Sequence, residues 1–130
     1  VDKYVVDMLM RFKQRESIHF ESLGEMNADP KAMKRVFQNL IENGLKYNCK
    51  PEKIVKLYRK GNVIVVEDNG NGIEEKYFSK IVKPFQRLDS TTEGTGLGLG
   101  IVSKVLELHG FKLKIKSKLG VGSKFEIWLQ

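Results

Sequence analysis

The run Val63-Ile64-Val65-Val66-Glu67-Asp68-Asn69-Gly70-Asn71-Gly72 constrains this chain more than any other. Its apolar first half predicts a strand from Val63 to Asp68, in which side chains alternate between two faces. Asp68 therefore shares a face with Ile64 and Val66. A carboxylate aimed at an apolar face is costly unless groups there donate hydrogen bonds to it. The glycines that follow allow a positive φ or a close backbone approach to a ligand. Two readings stay open from these residues alone. One is the floor of a pocket that accepts hydrogen bonds; the other is a plain hairpin turn, which Asn-Gly favours.

A chain of 130 residues makes one domain with a core of its own, needing neither disulfide nor structural metal. Cys49 is the single cysteine, which excludes an internal disulfide and a cysteine-based zinc site and fits a reducing compartment. A cytoplasmic location is the expectation. No apolar run is long enough to span a bilayer and no secretory signal is visible. The chain starts within a helical pattern and ends within a strand pattern. The expectation is a domain cut from a longer protein, whose parent could carry a membrane anchor. The net charge of +7 favours anionic ligands or partners. Much of it comes from Lys112, Lys114, Lys116 and Lys118, which alternate with Leu113, Ile115 and Ser117 as on the solvated face of an edge strand. No aromatic residues interleave them, so no nucleic-acid partner is expected.

Val5, Leu9 and Phe12 predict a helix from Asp2 to Phe12, followed by an extended Ser17–Ser22 segment. Asp29-Pro30 is a helix start, with aspartate as N-cap and proline at the first position. That helix is expected to reach Tyr47 and to bury Met33, Val36, Phe37, Leu40 and Ile41. Lys53–Arg59 and Val63–Asp68 read as paired strands joined at Lys60-Gly61-Asn62. A short helix is expected over Glu74–Lys80, then an irregular stretch from Pro84 to Thr95. Another helix runs from near Gly96 to Gly110, burying Ile101, Val102, Val105, Leu106 and Leu108. Phe111–Ser117 and Lys124–Leu129 form a closing hairpin around Gly120 and Gly122. The fold class is α/β: a two-layer sandwich with about three helices on one face of a mixed, mainly antiparallel sheet.

Three constellations can carry chemistry. On the second helix Asn39, Asn43 and Lys46 form one polar stripe. They can offer oxygen to a hard cation and positive charge to phosphate, or they can be a solvated face with a Glu42–Lys46 ion pair. Gly94-Thr95-Gly96-Leu97-Gly98-Leu99-Gly100 leads straight into a helix. Glycine is a poor helix former, and close approach of a phosphate to free N–H groups is the strongest reason for it there. A flexible hinge is the other reading. The spacing is neither G-x-G-x-x-G nor a P-loop, and the protein-kinase signatures are absent. Between the glycine segments, Lys83–Glu93 reads as a mobile lid with Phe85 as apolar anchor and Arg87 as phosphate contact, or as a surface loop.

Taken in order, these elements resemble the ATP-binding catalytic domain of bacterial sensor histidine kinases. That group sits in the wider superfamily (GHKL, or Bergerat fold) with DNA gyrase B, Hsp90 chaperones and MutL. Asn39–Tyr47 matches the N box, Asp68–Gly72 the G1 box, Pro84–Arg87 the F box and Gly94–Gly98 the G2 box. Asn27–Pro30 and Gly120–Phe125 match flanking segments, so the resemblance covers nearly the whole chain. The Phe85-Gln86-Arg87-Leu88 wording is similar to phytochrome-type kinases.

The resemblance implies ATP and Mg²⁺ as cofactors. It makes Asp68 the acceptor for the adenine amino group, with Gly70, Gly72, Ile73 and Tyr47 around the base. Asn43 would hold Mg²⁺, with Asn39, Lys46 and Arg87 at the phosphates. Phe85, Gly94, Thr95, Gly96, Leu97, Gly98 and Leu99 would wrap the nucleotide. In hydrolysing members a glutamate one turn before the metal asparagine activates water. Asn39 stands there, and asparagine cannot act as a general base. Transfer to a histidine is therefore expected over hydrolysis. His19 and His109 lack phosphoacceptor context and read as structural. The acceptor should lie on a dimerisation domain outside this chain, with a response regulator downstream, a monomeric isolated domain and a homodimeric parent. Gly44, in place of the usual alanine, and Gly100 depart from the family pattern.

Overall fold

The computed structural model describes residues 2–11, 17–78 and 99–129. Helix α1 spans Asp2–Leu9, strand β1 Ile18–Phe20, helix α2 Pro30–Lys46, strands β2 and β3 Val55–Lys60 and Val63–Asp68, and a 3₁₀ turn Glu75–Tyr77. Helix α3 then covers Leu99–Leu108, and β4 and β5 cover Lys112–Lys118 and Gly122–Trp128. Phe12, Lys80 and the Pro84–Gly98 segment lie outside the described residues. No helix among those described is long and apolar enough to cross a membrane.

The five strands lie in the order β1-β2-β3-β5-β4. Among the described residues only β1–β2 is parallel; the other three pairings are antiparallel. The expected mixed, mainly antiparallel sandwich is what forms. A register with Val66 opposite both Leu57 and Phe125 puts one apolar row across the helix-facing side. Ile64, Val66, Leu57, Phe125 and Ile127 are buried there with Phe37, Leu40 and Ile41 of α2. Each such side chain contributes roughly 1.5–3 kcal/mol on leaving water.

Helix α2 starts as its sequence requires. Asp29 is extended at φ −69°, ψ 117°, its carboxylate accepts the Lys31 N–H at 3.3 Å, and Pro30 follows. The expected apolar stripe is buried, and Gly44 and Leu45 are buried with it. At its far end, the Tyr47 N–H caps the carbonyl of Asn43.

Helix α3 departs from expectation. Val102 and Leu106 are buried as predicted and Val105 packs partly against the core, but Ile101 and Leu108 are 54% and 74% exposed. At about 100° per residue they fall roughly opposite Leu99, which is fully buried. The helix is apolar nearly all round, so composition did not say which stripe faces inward; packing on α2 and the sheet does.

Candidate functional site

Asp68 ends β3 with its carboxylate on the helix side of the sheet, beneath α2. Its Oδ1 accepts the Gly70 N–H at 2.8 Å. The α2 backbone presses on it at Gly44. A Cβ there would lie 2.9 Å from Asp68 Cβ, 3.0 Å from Val55 Cγ2 and 3.3 Å from Asp68 Oδ2. Asn43 is the neighbouring residue, and Tyr47 follows on the next turn. The structure thus brings the strand carboxylate against α2 at Gly44, next in sequence to Asn43.

Burial pushes the Asp68 carboxyl above its ordinary value of 3.8, and the backbone N–H groups of Gly70 and Ser123 offset only part of that. The carboxylate is therefore partly starved of water, the condition in which a donor from a ligand gains most.

Around Asp68 runs an asparagine scaffold that reading by boxes did not single out. Buried Asn48 donates from Nδ2 to the Gly44 carbonyl at 3.2 Å and to Asn69 Oδ1 at 2.8 Å. Asn69 Oδ1 also accepts the Ile54 N–H, and its Nδ2 donates to the Glu52 carbonyl. Asn71 donates its N–H to the Tyr47 carbonyl at 2.9 Å and accepts the Cys49 N–H on Oδ1. These bonds tie the end of α2 to the turn after β3. Asparagine after a helix end and inside a glycine turn is the available signal, since its side chain mimics backbone in such places.

The hairpin holds the same turn from the other side. Ser117 Oγ accepts the Ile73 N–H at 2.7 Å and donates to the Gly122 carbonyl at 3.0 Å. Gly72 has φ +75°, and a Cβ on it would lie 2.1 Å from the Lys118 carbonyl oxygen. This glycine allows the close approach of the hairpin backbone.

Asn39 and Asn43 are half-buried and Lys46 is exposed, with Lys46 Nζ 5.5 Å from the centre of the Tyr47 ring. Glu42 accepts from Gln38 Nε2 at 3.1 Å, so its turn-to-turn partner is Gln38, and it is exposed on the helix. Two residues expected at the nucleotide have buried side chains. Ile73 is 8% exposed and Leu99 fully buried, both inside the core cluster, because each is apolar and sits where an element joins the sandwich. Arg87, Phe85, Gly94, Thr95, Gly96, Leu97 and Gly98 lie outside the described residues.

The two histidines differ. His19 is exposed on β1. His109 faces the carbonyl of Val105 through Nδ1 at 2.8 Å and accepts the Asp29 N–H on Nε2 at 3.1 Å. That requires the proton on Nδ1. The ring also stacks on Phe111 at 5.6 Å, clamping the end of α3 to the start of α2.

Several known proteins share this sequence and fold. The chain is 43% identical to cyanobacterial phytochrome B of Nostoc sp. over 103 residues, covering 73% of this chain and 14% of the relative. It is 36% identical to the circadian input-output histidine kinase CikA of Synechococcus elongatus over 110 residues, or 78% of this chain and 14% of the relative. The phytochrome-like protein Cph1 of Synechocystis sp. matches at 35% over 96% of this chain and 18% of its own length. The chain thus spans under a fifth of these relatives. Among solved structures, the mycobacterial sensor histidine kinase MprB superposes with a TM-score of 0.79 at 24% identity, over 98% of this chain and 92% of that one. The catalytic domain of histidine kinase ThkA superposes at 0.74, also at 24% identity, over 99% and 91%. These two likenesses show the fold. Residues 28–130 match the family described as histidine kinase-, DNA gyrase B- and HSP90-like ATPase, and with the Asp68 site and the relatives' identities this chain belongs to that family.

Proposed function

We propose that this domain binds ATP with Mg²⁺ and passes the γ-phosphoryl group to a histidine on a separate dimerisation domain, in a cytoplasmic two-component pathway with a response regulator downstream. The observation that carries this reading is the contact of Asp68 with α2 at Gly44, one residue from Asn43. It puts a desolvated acceptor against the helix that carries Asn39, Asn43 and Lys46, the residues that would meet the cation and the phosphates. The donor set fits the ligand. A carboxylate with Oδ1 already held by Gly70 keeps acceptor capacity for an amino group. Asn43 and Asn39 would supply neutral oxygens to Mg²⁺ and the phosphates, with Lys46 at the rim. Mg²⁺, when bound, would neutralise charge on the triphosphate.

Binding and orientation are then what this chain's residues supply. Asp68 fixes the base, Tyr47 flanks it, and the α2 stripe holds the phosphates in line for an external nucleophile. Asn39 supports transfer over hydrolysis, because it can orient a phosphate oxygen but cannot take a proton from water. Glu42 does not replace it, being exposed and bonded to Gln38.

The test is incubation with γ-labelled ATP and Mg²⁺, with and without a histidine-bearing dimerisation domain. Acid-labile label on the added domain is the expected result. Steady phosphate release without label would make the domain a hydrolase. Nucleotide binding with neither product would make it a signalling module that only holds ATP.

A further inference from the structure

The sheet face turned away from the helices holds a second concavity, which reaches Asp68 and Asn69 at the end of β3. Register sets Lys56, Glu67, Lys124 and Lys116 side by side across β2, β3, β5 and β4. They precede or follow the helix-facing residues by one, and so point to the open side. A cavity of about 470 Å³ lies over this row and extends to Ile54, Val121 and Lys118. That volume falls in the range of small-molecule sites.

Two chemical characters meet in it. Ile54, Val121 and the lysine stems make its walls mainly carbon, and lysine stems lie along such surface while their ammonium groups reach the rim. The rim is positive. Of the two acidic lining residues, Asp68 turns its carboxylate to the helix side, and Glu67 is already engaged: it accepts from Tyr58 Oη at 2.8 Å and sits 3.7 Å from Lys124 Nζ. Glu126, in the next row, lies 3.2 Å from Lys116 Nζ. Lysines therefore exceed the carboxylates left to neutralise them, and the field over the cavity favours an anion. A small hydrated ion would gain nothing from the carbon walls, and a neutral hydrocarbon nothing from the rim.

We propose that this cavity binds an amphipathic organic anion, an apolar body carrying a carboxylate or phosphate. The apolar part enters between Ile54 and Val121, and the charged group stays among the ammonium groups of Lys56, Lys118 and Lys124. The site does not depend on the nucleotide reading: its lysines stand on the open face of the sheet, while the Asp68 carboxylate lies on the helix side against Gly44.

The experiment is a titration of the domain with monomeric dodecyl phosphate, followed by amide NMR shifts. Saturable binding that moves the signals of Lys56, Val121 and Lys124 is expected. Inorganic phosphate and neutral dodecyl maltoside should each bind about tenfold or more weaker, since each lacks one of the two contacts. Lys56→Glu and Val121→Asp, both exposed positions, should each weaken binding while leaving the melting curve and ATP binding intact. Equal binding of inorganic phosphate, equal binding of the maltoside, displacement by ATP, or indifference to both substitutions would overturn the site. Vesicles of phosphatidylcholine with phosphatidylserine separate two sources of such an anion. Association lost in both variants assigns it to a lipid headgroup, and no association beside dodecyl phosphate binding assigns it to a free organic acid; either result supports the cavity.

Discussion

Asp68 carries a conflict between stability and binding. Its carboxyl is raised above 3.8 chiefly by burial, so the ionised form is disfavoured in the folded, ligand-free domain. A raised folded value means that its stabilising contribution is complete below the ordinary value and is lost as pH climbs through the raised one. Asp68→Asn removes that loss while keeping an oxygen for the Gly70 N–H. The ligand-free variant should melt at a higher temperature than the parent at pH 7, and the gap should close as pH falls below 3.8, which thermal melts across pH will check. His109 makes the opposite case of a residue whose importance is structural. His109→Ala removes the acceptor of the solvent-exposed Asp29 N–H and should cost roughly 0.5–1.5 kcal/mol, read by urea denaturation. Phosphoryl transfer to an added acceptor should persist in that variant.

At the level of elements, the distance between α2 and β3 is set by a glycine. Alanine at Gly44 would place a Cβ 2.9 Å from Asp68 Cβ, and helix or carboxylate must shift. Gly44→Ala should destabilise the domain by about 1–3 kcal/mol, as overpacked core positions do, and should weaken ATP more than Mg²⁺-pyrophosphate; calorimetry of both ligands reads the difference. The asparagine scaffold gives a parallel case. Asn69→Ala strands the Ile54 N–H and frees Asn48, so it should lower stability by about 1–3 kcal/mol, again by denaturation.

These elements also show what could be read from residues. Helix α2 was legible to its caps because Asp29-Pro30 and the apolar stripe both act locally. Helix α3 was legible as a helix but not in orientation, because apolar residues surround it. The Asp68 carboxylate was legible from strand alternation. Its pressing contact with Gly44 was not, since it joins residues far apart in sequence, and neither was the role of Asn48, Asn69 and Asn71, which depends on where two loops meet.

Across the whole molecule, one sheet serves two chemistries. Its helix side buries the core and ends at Asp68; its open side carries lysine rows, with Lys114 Nζ 4.2 Å from the Trp128 ring. The edge position of β4 was expected from its alternating lysines, and the sheet order places β4 at the edge. On the proposed function, Asp68, pressed on α2, receives the adenine amino group of ATP. Titration calorimetry of ATP against purine riboside triphosphate, which lacks that amino group, tests it in the parent and in Asp68→Asn. A hydrogen bond to a charged acceptor is worth about 1.5–3 kcal/mol, so ATP should bind roughly tenfold to a hundredfold tighter in the parent, with the preference gone in the variant. Equal affinity of the two nucleotides in the parent would contradict the assignment.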